Sequence, residues 1–216
     1  MTQSLRKGIV LIRNAIDLET QQNIGSMSLE LAQSEKFKFS VNSRDRIYDA
    51  ISAYPNPTYL LDLCQNFLSQ ANAIDDTIIP SIPTHLLFLK YKNKNGMGYH
   101  RDDGKNDGKD LYPVVSLSVG NSCRFLMKQN NDDELIDIML NSGDVIIFGG
   151  ECRNILHKIH SVRLNTSPEA VFNIIGNERL NLTFRYAPEI IGKEDQYEIF
   201  DAKDTAIKNK VEQKLN

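Results

Sequence analysis

The sequence of 216 residues has no tryptophan, only three cysteines and only four histidines. Cys64, Cys123 and Cys152 are widely spaced and odd in number, so neither a disulfide framework nor a zinc knuckle is expected. Unpaired cysteines are typical of a reducing compartment, and we therefore expect a soluble intracellular protein, cytoplasmic or nuclear. The low histidine count also means that a metal site with histidine ligands has few candidates to draw on.

Long apolar runs are absent as well. Near the N-terminus the chain offers only Ile9 to Ile12, which is too short for a signal-peptide core or a membrane span. With 41% hydrophobic residues, the chain is long enough for one well-buried core, and nothing in it requires a second. We therefore predict a single domain over residues 1–192, without membrane association and in a monomeric state.

A general excess of positive charge is also missing, since the formal net charge is −3. This weakens the case for a nucleic-acid partner that is attracted by the whole molecule. A local patch could still bind one, and basic residues cluster around Tyr91: Lys90, Lys92, Lys94 and Arg101. An exposed, solubilising loop explains the same cluster equally well.

Residues 1–84 carry a short strand pattern at residues 8–12 and two helical patterns. Asp17 is a good N-cap for a helix from about Leu18 to Ser34. Thr58 is predicted to cap an amphipathic helix with one apolar face, formed by Leu60, Cys64, Phe67 and Ala71. Between the helices, residues 36–54 are polar and irregular, and a short hairpin is expected there.

From His85 onward the sequence changes to short β segments separated by turns. The predicted strands are 86–91, 114–119, 124–128, 137–140, 145–148, 171–175 and 180–186. Many short strands at this spacing favour a sandwich or barrel, commonly a jelly roll. We thus predict a mainly β fold with flanking helices (α+β), with its core at 85–190. Residues 193–216 are predicted to form a charged C-terminal extension.

The stretch RLNLTFR, residues 179–185, alternates polar and apolar residues without a break, which indicates a strand with two unlike faces. Arg179, Asn181, Thr183 and Arg185 share the polar face. A solvated surface is one explanation. The other is that two guanidinium groups bind anions, and because about 20 Å separates their Cα atoms, they would reach two different anionic groups.

His100 and Asp102 have the i, i+2 spacing that points two side chains of a strand in the same direction. With one more histidine they would form the two-histidine, one-carboxylate set that favours non-haem Fe(II). The remaining candidates are His85, His157 and His160, and spacing alone does not separate the last two. A calcium loop is excluded, because an EF-hand alignment puts Lys105 and Val114 at ligand positions.

Three motifs taken together resemble the AlkB-type family of Fe(II)- and 2-oxoglutarate-dependent dioxygenases. They are His100-x-Asp102, the run from Gly143 to Gly150 leading through Arg153 to His157, and the R-x-N-x-T-x-R strand. The resemblance covers roughly residues 86–187. It implies a double-stranded β-helix of the jelly-roll type, and by position it implies His157 as the third iron ligand.

The resemblance also implies roles for the polar strand. Arg179, helped by Asn181, would pair with the distal carboxylate of 2-oxoglutarate, while Arg185 would lie near the carboxylate at the iron. Tyr91 matches a position that hydrogen-bonds this cosubstrate. The implied reaction uses Fe(II), 2-oxoglutarate and O2, and couples formation of succinate and CO2 to hydroxylation of a substrate C–H bond. On an N-methyl group this is oxidative demethylation with release of formaldehyde.

By resemblance the partner is nucleic acid, namely methylated DNA or RNA, whose target base is flipped into a pocket and stacked on an aromatic ring. The predicted substrate-binding residues are Tyr48, Tyr54, Lys92, Lys94 and Arg101, with Phe39 as a further stacking candidate. Four features depart from the family pattern: the short lid region, the absence of tryptophan, Gly104 in place of an acidic residue, and Leu89 in place of an asparagine. These departures leave the iron chemistry intact and keep open the same chemistry on a protein side chain or small molecule. An inactive binding module of the same fold is a further alternative, against which the complete triad and both arginines argue.

Overall fold

The computed structural model describes residues 1–34, 44–102, 112–130 and 134–186, with no account of the Arg44 side chain. The predicted C-terminal extension, 193–216, and the stacking candidate Phe39 lie outside the described residues. So does most of the predicted lid hairpin, whose remaining part, 44–50, forms a strand.

The described residues form eleven β-strands in two antiparallel sheets. The larger sheet contains β1 (Thr2–Arg6), β2 (Ile9–Ile12), β3 (Arg44–Ala50), β4 (His85–Tyr91), β6 (Val114–Gly120), β9 (Val145–Phe148) and β11 (Arg179–Arg185). The smaller sheet contains β5 (Asn95–His100), β7 (Ser122–Lys128), β8 (Ile136–Leu140) and β10 (Leu156–Arg163). Their orders are β1-β2-β9-β6-β11-β4-β3 and β5-β10-β7-β8.

Two apolar cores hold these layers together. One lies between the sheets and includes Leu89, Phe125 and Ile159. The other packs the helices onto the outer face of the larger sheet, with Phe67 and Leu182 among its fully buried members. Each such side chain contributes about 1.5–3 kcal/mol on burial. The layered antiparallel arrangement confirms the predicted mainly β, jelly-roll fold with flanking helices.

Three α-helices occur in the described residues: α1 (Leu18–Gln33), α2 (Pro57–Asn72) and α3 (Glu169–Ile175). The prediction for α1 is confirmed, since the Asp17 side chain accepts a hydrogen bond from the Thr20 backbone N–H at 2.8 Å. None of these helices is long and apolar enough to cross a membrane.

Two predictions in the helical regions are wrong. Thr58 does not cap α2; the N-cap is Asn56, and Pro57 opens the helix because its fixed φ suits the first turn. Residues 171–175 form part of α3 and not a strand. Val171 and Ile175 are four positions apart, which places both on the helix face that packs in the core.

Strands β1, β5 and β10 are absent from the sequence-based prediction. In β10, buried Ile159 and Val162 alternate only imperfectly with charged and histidine residues, because the strand carries an irregularity near His160. In β5, two glycines and exposed residues leave little apolar pattern to recognise. Both strands depend on pairing with neighbours more than on their own sequence.

Strand β11 occupies the middle of the larger sheet, between β4 and β6. Its polar residues Arg179 and Asn181 are 1% and 5% exposed. They lie opposite Tyr91 and Leu89 of β4, which belong to the core between the sheets. The polar face therefore points into the space between the two sheets, as the family resemblance implies, and the solvated-surface alternative is wrong.

Candidate metal and cosubstrate site

Strand pairing brings two distant histidines together. His100 ends β5, and His157 lies directly opposite it in β10. Their ring centroids are 4.3 Å apart. Asp102 follows β5 by two residues, and its two carboxylate oxygens each lie 3.8 Å from Nε2 of one histidine. One ligand atom from each of the three residues lies within 4.8 Å of the others, so the group could hold a metal ion.

Backbone carbonyls fix the orientation of both imidazoles. His100 Nδ1 lies 2.9 Å from the carbonyl oxygen of Gly98, and His157 Nδ1 lies 3.0 Å from that of Ile155. A carbonyl oxygen only accepts, so Nδ1 of each ring is the donor, and in the neutral ring the lone pair then lies on Nε2. Both lone pairs are therefore available on the side that faces Asp102, as metal ligation requires.

Electrostatics keep His157 neutral and Asp102 charged. Burial lowers the pKa of His157 to about 4, against the opposing effect of Asp102. Burial raises the pKa of Asp102, but Arg185, then the two imidazoles and Arg153, outweigh it and leave the pKa lowered. A neutral imidazole and an ionised carboxylate are the forms that bind a metal ion.

Two arginines hold Asp102 in place. Arg185 Nη2 donates to its Oδ1, and Arg153 Nη1 donates to its backbone carbonyl at 2.8 Å. Arg153 is buried and precedes His157 by four residues, so it connects the loop of one ligand to the segment of another. Sequence reasoning noted Arg153 only as part of a motif and did not assign it this contact.

The other two histidines lie elsewhere. His160 is exposed on β10, close enough to Asp137 to lower the pKa of that carboxyl after the main effect of Arg124. His85 is buried at the start of β4, with its Nδ1 2.9 Å from the Thr84 hydroxyl. Among the described residues, the group that could hold a metal contains neither of them.

A second feature lies at the far end of β11. The Arg179 guanidinium is buried over the Tyr91 ring, with its Cζ 5.2 Å from the ring centroid. Nη2 donates to the Ser118 hydroxyl at 2.9 Å, while Nε and Nη1 have no hydrogen-bond partner among the described residues. Buried donors of a charged group are rarely left unpaired, because desolvation then goes uncompensated. This pocket therefore fits an anionic group such as a carboxylate.

Asn181 lies between the two arginines on β11 and is fully hydrogen-bonded to its neighbours. Its Nδ2 donates to the Ser116 hydroxyl at 2.8 Å and to the Leu117 carbonyl at 3.0 Å. Its Oδ1 accepts from the Thr183 hydroxyl at 3.0 Å. The two serines were missed by sequence reasoning, although their i, i+2 spacing inside the apolar strand VVSLSVG is a signal of a polar inner face.

Of the two candidate stacking tyrosines, only Tyr48 lies near the triad. Its ring centroid is 6.0 Å from Arg185 Cζ and 5.4 Å from the ring of His85. Burial raises its pKa, with Arg185 opposing, so the phenol stays protonated at neutral pH. Tyr54 is buried in the core between sheet and helices, where its hydroxyl donates to the carbonyls of Ile47 and Leu86.

The predicted basic patch divides into residues with different contacts. Lys92 forms an ion pair with Asp45 at 2.6 Å, and Lys94 is exposed. Arg101 donates to the backbone carbonyls of Asn154 and Gln129, the latter at 2.9 Å. Arg101 thus ties together the loops beside the metal ligands, and Lys94 retains the exposure that a surface contact needs.

Comparisons with known proteins agree with this geometry. The model of the 2OG-Fe(II) oxygenase superfamily matches residues 26–185. The Arabidopsis thaliana protein named DNA N(6)-methyladenine demethylase ALKBH1C is 38% identical over 115 residues, 51% of this chain and 25% of that protein. The alpha-ketoglutarate-dependent dioxygenase AlkB of Escherichia coli is 26% identical over 171 residues, 75% of this chain and 73% of that protein.

The solved structure of OsALKBH1 superposes with a TM-score of 0.78 at 23% identity, over 87% of this chain and all (100%) of that one. The crystal structure of a Pseudomonas putida prolyl-4-hydroxylase superposes with a TM-score of 0.55 at 13% identity, over 84% of this chain and 94% of that one. These two likenesses concern the fold. The chain spans about a quarter of the Arabidopsis relative, but the family model covers well over half of the chain. The AlkB-type resemblance is confirmed, and the chain belongs to the 2OG-Fe(II) oxygenase superfamily.

Proposed function

We propose that this protein is an Fe(II)- and 2-oxoglutarate-dependent dioxygenase that removes alkyl groups from nucleic-acid bases. One observation carries the proposal. Two sites lie between the same pair of sheets: the His100–Asp102–His157 group, and the buried Arg179 with its unpaired donors. Arg185, on the strand of Arg179, donates to Asp102 of the first site. A metal ion and a dicarboxylate would each meet complementary groups there.

The triad fits Fe(II). His100 and His157 would contribute Nε2, and Asp102 a carboxylate oxygen, which is a set that leaves coordination positions open. When bound, iron and cosubstrate supply the oxidative chemistry, in which 2-oxoglutarate and O2 yield succinate and CO2 while a substrate C–H bond is hydroxylated. On an N-methyl group, the hydroxylated product loses formaldehyde.

The protein's own residues bind and orient. Arg179 would take the distal carboxylate of 2-oxoglutarate through Nε and Nη1, while Tyr91 forms the wall under the guanidinium. Asn181 holds Ser116, and Arg179 itself holds Ser118, on the strand beside this wall. Arg185 keeps Asp102 ionised and oriented. Its buried Nε has no hydrogen-bond partner among the described residues, and it would donate to the 2-oxoglutarate carboxylate nearer the metal.

Nucleic acid is the proposed substrate because two of the relatives are named DNA N(6)-methyladenine demethylase. A third relative is the alpha-ketoglutarate-dependent dioxygenase AlkB. Tyr48 is the proposed stacking residue. It is half-buried and lies on the same side as Arg185, where a flat base could rest on its ring.

A turnover assay tests the proposal. The protein is purified anaerobically, supplied with Fe(II), 2-oxoglutarate and O2, and given methylated DNA, methylated RNA or no substrate. We expect formaldehyde only with a methylated oligonucleotide, in step with succinate. Succinate without oligonucleotide-dependent formaldehyde would instead indicate a protein or small-molecule substrate, and no succinate at all would overturn the dioxygenase assignment.

A further inference from the structure

An exposed tyrosine lies beside two lysines on the outer face of the smaller sheet. Tyr99 is 39% exposed. The Nζ atoms of Lys158 and Lys128 lie 4.4 Å and 5.0 Å from the centroid of its ring. We call Tyr99, Lys128 and Lys158 the Tyr99 surface. It presents one flat ring and two positive charges to solvent, next to the β5 edge of the sheet.

Strand geometry places this surface directly behind the metal ligands. Tyr99 precedes His100 in β5, and Lys158 follows His157 in β10, so each points away from the ligand beside it. Lys128 reaches the same face from β7, where it is paired with Leu156. The Tyr99 surface and the candidate metal site therefore occupy opposite faces of the same two strands.

Lys128 and Lys158 have no carboxylate partner among the residues that the structure describes. Arg124, on β7 as Lys128 is, pairs with Asp137 of the same sheet at 2.6 Å. Two ammonium groups beside one ring repel each other, and the ring attracts both. A polyanion would relieve that repulsion, although the whole chain carries a net charge of −3.

We propose that the Tyr99 surface binds a single-stranded segment of the nucleic-acid substrate next to the target nucleotide, with phosphates at Lys128 and Lys158 and a base stacked on Tyr99. This inference rests on the proposed function and names its substrate contact. Aromatic rings flanked by cations are the usual means of binding single strands without sequence preference. An acidic peptide would use the charges but leave the ring without a partner.

The position of β5 supports this path for the strand. β5 is an edge of the smaller sheet, and His100 is its last residue. A nucleic-acid strand that crosses the edge near Tyr99 therefore passes from the outer face to the metal side without crossing another described strand of that sheet. The neighbouring nucleotide would then be the one that enters the site.

The test is oligonucleotide binding by fluorescence anisotropy, using full-length protein and a methylated single strand over a range of salt concentrations. Tyr99→Ala should weaken binding about 10-fold or more, whereas Tyr99→Phe, which keeps the ring, should bind as the unchanged protein does. The double change Lys128→Gln/Lys158→Gln should reduce the slope of log K against log salt by about 1.4, for two phosphate contacts.

Arg6→Gln/Lys7→Gln is the matched control, because it removes two exposed positive charges at the β1–β2 turn. Circular dichroism and thermal midpoints check that each variant folds. Unchanged oligonucleotide binding in Tyr99→Ala and in the double lysine variant, while the unchanged protein binds and demethylates, overturns this inference and leaves the proposed function standing. If the unchanged protein neither binds nor demethylates any oligonucleotide, both fail.

Two further probes separate the sources of binding. An abasic strand carries phosphates without bases, so its binding should respond to the lysine changes and not to Tyr99→Ala. A poly-glutamate peptide should bind weakly and without dependence on the ring. Preferential loss of peptide binding in the variants would identify an acidic protein partner and contradict the inference.

Discussion

At the scale of single residues, Arg179 shows the clearest mismatch between burial and pairing. It is 1% exposed, yet two of its guanidinium nitrogens have no partner among the described residues. Such a charge costs folding free energy, and the cost is recovered when a carboxylate binds. The residue thus connects stability with the proposed cosubstrate site.

Replacing Arg179 with methionine should separate these two effects. Because each hydrogen bond to a charged group contributes about 1.5–3 kcal/mol, the 2-oxoglutarate concentration for half-maximal succinate formation should rise roughly 10-fold or more. The cosubstrate-free protein should become more stable by about 1 kcal/mol in urea unfolding, because a buried charge is removed. Asp17→Ala, far from the site, is a control that should lower stability alone. An unchanged 2-oxoglutarate requirement would contradict the assignment.

His157 and His160 offer a matched pair on one strand. His157→Ala removes a proposed ligand and should abolish measurable Fe(II) binding and succinate formation. His160→Ala changes an exposed side chain outside the triad and should leave both within about twofold. Fe(II) binding can be measured by anaerobic titration. Full binding in His157→Ala, with loss in His160→Ala, would reverse the ligand assignment.

At the scale of elements, the β5–β10 pair positions both imidazoles. Gly96 is essential to this pairing, because a Cβ at that position would lie 1.8 Å from the carbonyl oxygen of Ile159. Backbone atoms cannot yield as a flexible side chain does, so the strands would have to separate. Gly98, on the same strand, has nothing within 4 Å of its added Cβ.

Gly96→Ala and Gly98→Ala therefore form a matched pair of variants. Gly96→Ala should displace β5, weaken Fe(II) binding at least 10-fold and lower the unfolding free energy by about 2 kcal/mol or more. Gly98→Ala should leave Fe(II) affinity nearly unchanged, since its carbonyl can still accept from His100. Equal effects of the two substitutions on Fe(II) affinity would show that the close approach of the strands does not set the ligand geometry.

The elements also show where local pattern suffices. β11 alternates over seven residues and α1 has a well-formed cap, so both were predictable from sequence. β10 carries His157 but was missed, because its charged residues lie on an outer face that only sheet pairing defines. α3 was predicted as a strand because a short apolar run fits either period.

At the scale of the whole molecule, protonation of the site is coupled to unfolding. The pKa of His157 is lowered to about 4 from an ordinary value near 6.5, so the unfolded chain binds a proton first as pH falls. The lowered pKa of Asp102 acts in the same direction at lower pH, since its stabilising contribution is lost when the carboxylate is protonated. Stability should therefore decline with falling pH.

For the metal-free protein, we expect His157 to contribute a loss of about 3 kcal/mol between pH 7 and pH 4. Urea unfolding at several pH values measures it. Glutamine does not titrate, so the His157→Gln variant should lose about 3 kcal/mol less unfolding free energy over the same pH range. The difference between the two curves of unfolding free energy against pH gives the contribution of His157. Parallel curves for the two proteins would contradict the predicted coupling.

The sequence by itself determined the fold class, the polar strand and the family, because these depend on local alternation and on motifs that survive as linear patterns. Through the family resemblance it also named the three residues of the triad, since spacing alone left His157 and His160 open. Only the tertiary structure decided that Tyr48 and not Tyr54 lies beside the site, and that Lys92 is already paired with Asp45. Those contacts depend on which strands become neighbours, and the sequence of one strand does not specify which residues lie opposite it.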